Sequence, residues 1–197
     1  MTVDFDQIQW PEGLELPWTK SDYEKLVEAQ GEPFTISEKG SVMLNQMFFV
    51  EKYRLEHRVI YDSELGDFFE YNEATGLWKK RSADAIKYQF LEDMRLTAKE
   101  TGQNGLFMKR TDALARGLVA LLRAVVEQPD AFSHRPPAIH VKNGMIVFED
   151  DRMLLKSFHP DYFSRNMCPF EFDPQAECPR FLNELLGTAL SPEDTRL

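Results

Sequence analysis

The sequence predicts an α+β fold in which a helical core is joined to a three-stranded β-meander and a second β-hairpin. Two segments with apolar residues every three or four positions predict the helical core. Two further segments alternate short apolar or aromatic runs with turn residues, a pattern typical of antiparallel strands. The chain of 197 residues is 43% hydrophobic and 28% charged, which is the composition of a globular protein.

The N-terminal part contains two predicted helices. The first lies in SDYEKLVEAQG, where Ser21 caps the helix, Glu24 completes a capping box and Gly31 ends it. The second lies in SVMLNQMFFVEKYRLEH, residues 41–57. Its apolar residues cover more than a narrow stripe, which predicts that the helix is buried or pressed against a partner.

The clearest strand pattern follows, in RVIYDSELGDFFEYNEATGLWKKRS. It predicts a three-stranded meander with turns around Gly66 and Gly76. Two helices come next, the first capped by Ser82 and the second by Thr111. Their predicted apolar faces are Ile86, Phe90 and Met94 in the first helix, and Leu114, Leu118, Leu121, Leu122 and Val125 in the second.

The C-terminal third contains a second β unit, AIHVKNGMIVFEDDRMLLKSF, with turns at Asn143-Gly144 and at 149–151. A proline-punctuated extended segment then leads into a helix from about Pro179. The last residues, SPEDTRL, form a pattern typical of a helix start, with Ser191 as the cap. Three residues after the acidic pair are too few to complete a stable helix.

We therefore predict three parts of the chain. Residues 1–40 form an acidic flank with one short helix, residues 41–190 form the main domain, and residues 191–197 begin a helix leading toward a further domain. The N-terminus lacks the pattern of a signal peptide, and no apolar run is long enough to span a membrane. These features predict a cytoplasmic protein without membrane contact. In that compartment Cys168 and Cys178 are expected to be free thiols.

The familiar catalytic motifs are missing from the sequence. It contains no GxxxxGK[ST] phosphate-binding loop, no GxSxG and no HExxH. The four histidines are scattered, and we expect turn or surface positions for them rather than metal ligation. The run Glu149, Asp150 and Asp151 is weakly similar to a nuclease site, but the lysine expected two residues beyond the second acid is replaced. The prediction is no catalytic residue, no metal and no cofactor.

Charge is distributed unevenly along the chain. The net charge is −10, yet residues 79–123 hold ten Lys and Arg against five Asp and Glu, so that this stretch is about +5. A locally basic segment in an acidic chain predicts a restricted anion-binding face. The predicted nucleic-acid contacts are Trp78, Lys79, Lys80, Arg81, Arg95, Lys109 and Arg110.

Two interpretations of Trp78 remain open from the sequence. A strand-end aromatic beside three cations can stack on a base while the cations contact phosphates, as in single-strand binders. Alternatively, Trp78 packs in the core and the neighbouring cations are solvated, which is the more frequent arrangement for a tryptophan on a strand.

The order of these elements resembles the domain that precedes the motor in phage and plasmid primase-helicases and in the poxvirus helicase-primase. The resemblance covers about residues 40–197. It rests on Asn143-Gly144 opening a strand, His159-Pro160-Asp161-Tyr162-Phe163 after the hairpin, Asp173-Pro174 through Ala176, Cys178 and Pro179, and Phe181-Leu182 beginning a helix.

In that family a superfamily-three helicase follows the domain and a primase often precedes it. The resemblance implies a place in the replication of a phage, prophage or plasmid, within a parent protein that is an ATP-dependent helicase-primase. We expect this chain to be a non-catalytic accessory domain that positions single-stranded DNA. Its expected partners are that DNA, the downstream helicase domain and, in the full-length protein, further copies of itself.

Two alternatives stay open. The first is a protein-interaction or oligomerisation module without DNA contact, docking through the helix around Met43, Met47 and Phe48. The second, weaker alternative is a divergent nuclease that depends on Asp150 and Asp151.

Overall fold

The computed structural model describes residues 20–133, 135–149 and 152–177, together with Pro179 and Glu184. Within them the chain forms five α-helices, three antiparallel sheets and one short 3-10 helix, which confirms the α+β class. The helices are α1 (Lys20–Gln30), α2 (Gln46–Glu56), α3 (Ala83–Glu100), α4 (Asn104–Phe107) and α5 (Asp112–Val125). The strands are β1 (Phe34–Ile36), β2 (Val42–Leu44), β3 (Val59–Asp62), β4 (Asp67–Asn72), β5 (Leu77–Arg81), β6 (Ala138–Val141), β7 (Gly144–Glu149) and β8 (Arg152–Lys156), and the 3-10 helix is Pro160–Tyr162.

The chain divides into two compact units. The first comprises residues 1–137 and 158–166, and the second comprises residues 138–157 and 167–197. Every described α-helix and the sheets β1-β2 and β3-β4-β5 belong to the first unit. The sheet β6-β7-β8 belongs to the second unit.

Side-chain caps fix the starts of the three long helices in the middle of the chain. Ser82 accepts a hydrogen bond from the Ala85 N–H and Thr111 accepts one from the Leu114 N–H, as the sequence predicts. Each cap satisfies one of the backbone donors that an α-helix leaves unpaired at its first turn. Asn45 caps α2 in the same way.

The second predicted helix begins later than expected. Residues 42–44 form β2 instead, paired with β1 in the register Phe34 with Leu44, and α2 starts only after Asn45. The amide of Asn45 also donates to the carbonyl oxygens of Gln30 and Glu32, at 2.7 and 3.0 Å. Asn45 therefore anchors the chain at the end of α1, and this fixes the helix start at Gln46.

The predicted meander is confirmed as the sheet β3-β4-β5. Its register pairs Phe69 with Lys80 and Tyr71 with Trp78. Both outer edges are covered, because the Tyr61 N–H donates to the Val126 carbonyl at 2.9 Å and the Trp78 N–H donates to the Ser164 carbonyl at 2.8 Å. The second bond brings the chain after the 3-10 helix alongside β5.

This sheet is packed on both faces, and each face belongs to a different apolar cluster. One face joins the main core, formed by the helices together with Val59, Tyr61 and Phe68. The other face forms a smaller cluster that contains Ile60, Phe69, Tyr71, Trp78 and Ala131, against which Phe132 and Phe163 pack. Because successive strand residues point to opposite faces, a sheet buried on both sides needs apolar residues at consecutive positions.

The second unit contains one more strand than the predicted hairpin. In its sheet β7 lies between β6 and β8, with Ile139 opposite Ile146 and Ile146 opposite Leu155. The side chain of Asn143 ties the turn to the following segment, donating to the Phe172 carbonyl and accepting from the Phe172 N–H, both at 2.9 Å. The helix predicted from about Pro179 and the helix start SPEDTRL lie outside the described residues.

Candidate nucleic-acid interface

The predicted contact residues fall into two groups on the first unit. Trp78, Lys79, Lys80 and Arg81 lie on β5. Arg95 lies on α3, and Lys109 and Arg110 follow α4 in the connection to α5. The predicted basic contact residues therefore lie in two separate places on the first unit.

Trp78 is part of the smaller apolar cluster. Its side chain is 4% exposed, and its indole N–H donates to the Pro160 carbonyl at 2.9 Å. The ring stacks on Phe163 with 5.9 Å between centroids and 11° between planes. The buried arrangement is the second interpretation that the sequence left open. A ring already stacked on a protein aromatic offers no face to a base, so we leave Trp78 out of the contact surface proposed below.

A basic depression, here called the β5 groove, lies over this cluster. It is lined by Phe69, Trp78, Lys79, Lys80, Arg165 and Asn166. The Arg165 guanidinium lies 4.7 Å from the centroid of the Phe132 ring, a cation–π distance that holds it over the aromatic cluster. Sequence reasoning missed Arg165, because nothing in its local sequence places it beside β5; only the Trp78–Ser164 bond does.

The cations of β5 differ in how strongly they are neutralised. Lys80 forms an ion pair with Asp67 at 2.6 Å, and Arg81 lies 3.3 Å from Glu70. Lys79 is exposed and has no ion pair among the described residues, and the same holds for Arg165. Arg165 is therefore the cation over the aromatic cluster that has no ion pair in the described part of the chain. Lys79 borders the groove from the other face of β5, because the register places it opposite Glu70, whereas Lys80 lies opposite Phe69.

Arg81 belongs to a polar network on the opposite face of the sheet. There Glu70 bonds His57 Nδ1 at 2.8 Å, and this hydrogen bond holds the pKa of Glu70 below its usual value. His57 in turn stacks on the buried Tyr53 ring, whose pKa is raised to about 12 mainly by burial. Arg81 therefore has an ion-pair partner, Glu70, whose ionised form is favoured. Lys79 has no such partner in the described part of the chain.

The second group of cations lies beside exposed aromatic side chains. Arg110 donates through Nε to the Leu91 carbonyl at 2.8 Å, and its guanidinium lies 4.9 Å from the Phe107 ring centroid. Arg95 donates through Nε to Glu92 at 2.8 Å. Lys109 is exposed, with no ion pair recorded for it within the described part of the chain. These cations and the Phe107 ring form a second basic surface on the first unit.

A buried charge cluster joins α2 to α3. Lys52 Nζ lies 2.6 Å from Glu56 Oε1 and 3.6 Å from Asp93 Oδ1, and Gln89 donates to the same Asp93 oxygen at 3.1 Å. Burial raises the pKa of Asp93, and the Lys52 charge opposes this only in part. The folded protein therefore holds the Asp93 proton to a higher pH than the unfolded chain does.

We expect this proton to make stability depend on pH. Above the ordinary pKa of 3.8, the folded state binds more protons at Asp93 than the unfolded state, so the free energy of unfolding decreases as pH rises through the folded pKa. Asp93→Asn should remove this decline. Urea unfolding from pH 4 to pH 8 measures it, with the exposed Asp84→Asn on the same helix as control. A wild-type minus Asp93→Asn difference that is constant with pH would contradict the assignment.

The remaining candidate residues are the histidines, the cysteines and the acidic run at 149–151, and the structure describes only some of them. His57 and His159 take part in local bonds, whereas His140 is buried on β6, contrary to the expected turn or surface position. His134, Asp150, Asp151 and Cys178 lie outside the described residues. Cys168 is a free thiol. In the ranges that the structure describes, no three His, Cys, Asp or Glu side chains come together as a metal site.

None of the described helices combines the length and the apolar character needed to cross a bilayer.

Comparison with known proteins places the chain in a family of replication proteins. No curated protein matches the chain. A family model described as D5 N terminal like matches residues 46–190, which include α2 to α5, both three-stranded sheets and the connecting 3-10 helix. Domains of this kind are found in phage and plasmid primase-helicases and in poxvirus D5, proteins of DNA replication. Because the match covers most of the sequence, the chain belongs to the D5 N terminal like family of primase-helicase domains.

Proposed function

We propose that this chain is a non-catalytic accessory domain that positions single-stranded DNA and couples it to a hexameric helicase motor in the same parent protein. One observation carries the DNA-binding part of the proposal. Lys79, Lys80 and Arg165, from two distant parts of the chain, line the β5 groove, with Lys79 at its border and the other two over the aromatic cluster. Such a group of cations suits the phosphate backbone, which supplies most of the affinity in sequence-independent binding.

The charge balance of the groove favours DNA over a general anion. Of these three cations Lys80 has a near carboxylate, Asp67, and no ion pair is found for Lys79 or Arg165 within the described residues, so these two are available to phosphates. The rest of the chain is strongly acidic, with a net charge of −10 for the whole. A negative surface elsewhere repels the strand and restricts it to the basic face. We assign the catalytic steps to other parts of the parent protein.

The test removes the two unneutralised cations. In the variant Lys79→Ala/Arg165→Ala we expect affinity for fluorescein-labelled (dT)20 to fall about tenfold in low salt. The slope of log K against log salt should become less negative by about 1.4, since each contact to a single strand contributes about 0.7. The matched control is Lys25→Ala/Lys39→Ala, which removes the same charge from exposed sites on α1 and before β2. If both variants lose the same affinity and slope, the β5 groove is not the contact surface.

A second candidate function, self-association, is favoured by the sheet of the second unit. Its neighbouring residues Phe148 and Met153, paired across β7 and β8, are both more than half exposed. All five residues of the edge strand β8 are exposed. An exposed apolar edge strand is a surface that pairs with another chain. By contrast, Phe48, part of the helix considered for docking, is buried against Tyr23 and Phe49.

Light scattering after size exclusion tests this second candidate. We expect the chain to show concentration-dependent assembly that Phe148→Ser/Met153→Ser abolishes. The exposed Leu55→Ser on α2 serves as control, because it removes comparable apolar surface from the first unit. Assembly that is lost equally in both variants, or a strictly monomeric wild-type chain, argues against the module.

A further inference from the structure

Two aromatic side chains are left in solvent on the second basic surface. Tyr88 on α3 is 68% exposed and Phe107 at the end of α4 is 48% exposed. The core-facing residues of α3, Ile86 and Phe90, are fully buried, so Tyr88 points away from the core side of the helix. Both rings are therefore accessible to a partner, and the Arg110 guanidinium lies over one of them.

A hydrogen bond and a cation–π contact place Arg110 and the Phe107 ring beside α3, the helix that carries Tyr88. The Nε of Arg110 donates to the carbonyl of Leu91 on α3 while its guanidinium lies over the Phe107 ring. This ties the end of α4 to the exposed side of α3. Arg95 lies two helical turns after Tyr88, and the pKa of its guanidinium is raised by its bond to Glu92 and to a smaller extent by Tyr88. Tyr88, Arg95, Phe107, Lys109 and Arg110 are here called the α3–α4 surface.

The combination of exposed rings and cations favours single-stranded over double-stranded nucleic acid as the ligand. A single strand exposes its bases for stacking on aromatic rings and its phosphates for contact with cations. A duplex keeps its bases stacked internally and offers mainly phosphates, so it makes no use of the rings. Its three cations, Arg95, Lys109 and Arg110, outnumber Glu92, whose pKa is lowered mainly by the hydrogen bond from Arg95. Two further carboxylates nearby, Asp84 and Asp112, are both paired with Lys87.

We propose that the α3–α4 surface is a base-stacking site for single-stranded nucleic acid, with Tyr88 and Phe107 as the stacking platforms and Arg95, Lys109 and Arg110 at the phosphates. The inference rests on the proposed function and adds to it the groups that read the bases. It assigns to exposed rings the role that the buried Trp78 does not perform.

The test separates base contacts from phosphate contacts in the full 197-residue chain. In Tyr88→Ala/Phe107→Ala we expect affinity for fluorescein-labelled (dT)20 to fall at least about tenfold, because stacking on an aromatic contributes on the order of a factor of ten or more per base. The salt slope should stay unchanged, since no phosphate contact is lost. Lys109→Ala should instead reduce the slope by about 0.7. Tyr88→Phe, which keeps the ring, is the matched control and should bind as the wild type does.

An oligonucleotide of abasic sites provides a second readout that does not depend on a variant's folding. It keeps the phosphates and lacks the bases, so the wild-type chain should bind it about as weakly as Tyr88→Ala/Phe107→Ala binds (dT)20. Equal wild-type affinity for both strands overturns the inference, as does an unchanged affinity of the double variant. In either case sensitivity to Lys79→Ala/Arg165→Ala would leave the proposed function standing. Absence of any binding by the wild-type chain overturns both.

Discussion

Trp78→Ala is expected to destabilise the first unit by about 3–5 kcal/mol, the range for removing a large aromatic from a packed core. The indole contacts the rings of Tyr71, Phe132 and Phe163, and its N–H bonds the Pro160 carbonyl. Alanine leaves a cavity between β5 and the segment 158–166, and the Pro160 carbonyl keeps only its bond from the Phe163 N–H. Equilibrium urea unfolding followed by circular dichroism gives the difference in free energy.

Trp78→Phe is the informative control for this prediction. It keeps an aromatic ring in the cluster and loses the indole N–H, so we expect a smaller cost of about 1–3 kcal/mol. Lys79→Ala, on the next residue but exposed, should cost within about 0.5 kcal/mol. A Trp78→Ala variant that keeps wild-type stability but loses single-strand affinity would contradict the core assignment and favour the base-stacking interpretation.

Gly144→Ala is expected to destabilise the second unit by about 2–4 kcal/mol, from steric overlap together with an unfavourable backbone conformation. Gly144 has φ +156°, and an added Cβ would overlap the backbone carbonyl oxygen of Lys156 on β8, the strand that pairs with β7. It would also lie 2.8 Å from Leu155 Cδ1. The obstacle is backbone, which a rotamer change cannot remove, so β6, β7 and β8 have to separate locally.

Hydrogen exchange of the strand amides measures this local effect. We expect the amides of β7 to lose protection in Gly144→Ala while those of β4 in the first unit keep theirs. Gly66→Ala is the matched control, since Gly66 has φ +71° but open space around it and should cost only about 1 kcal/mol. Unchanged protection of β7 in Gly144→Ala would show that the sheet tolerates a side chain at this turn.

The parts of the fold that the sequence predicts are those with strong local chemistry. Ser82 and Thr111 are caps in the structure because a hydroxyl before an apolar-periodic run has few better uses. The meander follows from Gly66 and Gly76, both with positive φ, between runs of aromatic residues. At these four positions the local sequence locates the element, whereas the predicted cap Ser21 lies inside α1, which begins at Lys20.

The parts that it does not predict depend on distant contacts. Residues 42–44 are apolar, and only the polar pair Asn45-Gln46 separates them from the apolar residues of α2, so periodicity alone does not show that they form a strand. The separation comes from Asn45, whose amide bonds to the end of α1.

The candidate site shows the same division. Charge counting finds the basic residues because charge is a property of the local sequence. It does not show that Trp78 is buried, that Lys80 is neutralised by Asp67, or that Arg165 lies beside β5. It also does not single out Tyr88, although the predicted apolar face of Ile86, Phe90 and Met94 already implies that Tyr88 lies on the other side of α3.

The central claim is that this domain binds a single strand through cations and leaves the strand intact. Anisotropy of fluorescein-labelled (dT)20 with the wild-type chain, titrated between 50 and 200 mM salt with Mg²⁺ present, tests it most directly. The account predicts saturable binding with a log–log salt slope of about −2 to −3, corresponding to three or four phosphate contacts, and an uncut oligonucleotide on a denaturing gel afterwards. No binding at the lowest salt, or a strand cleaved by the chain itself, would contradict it.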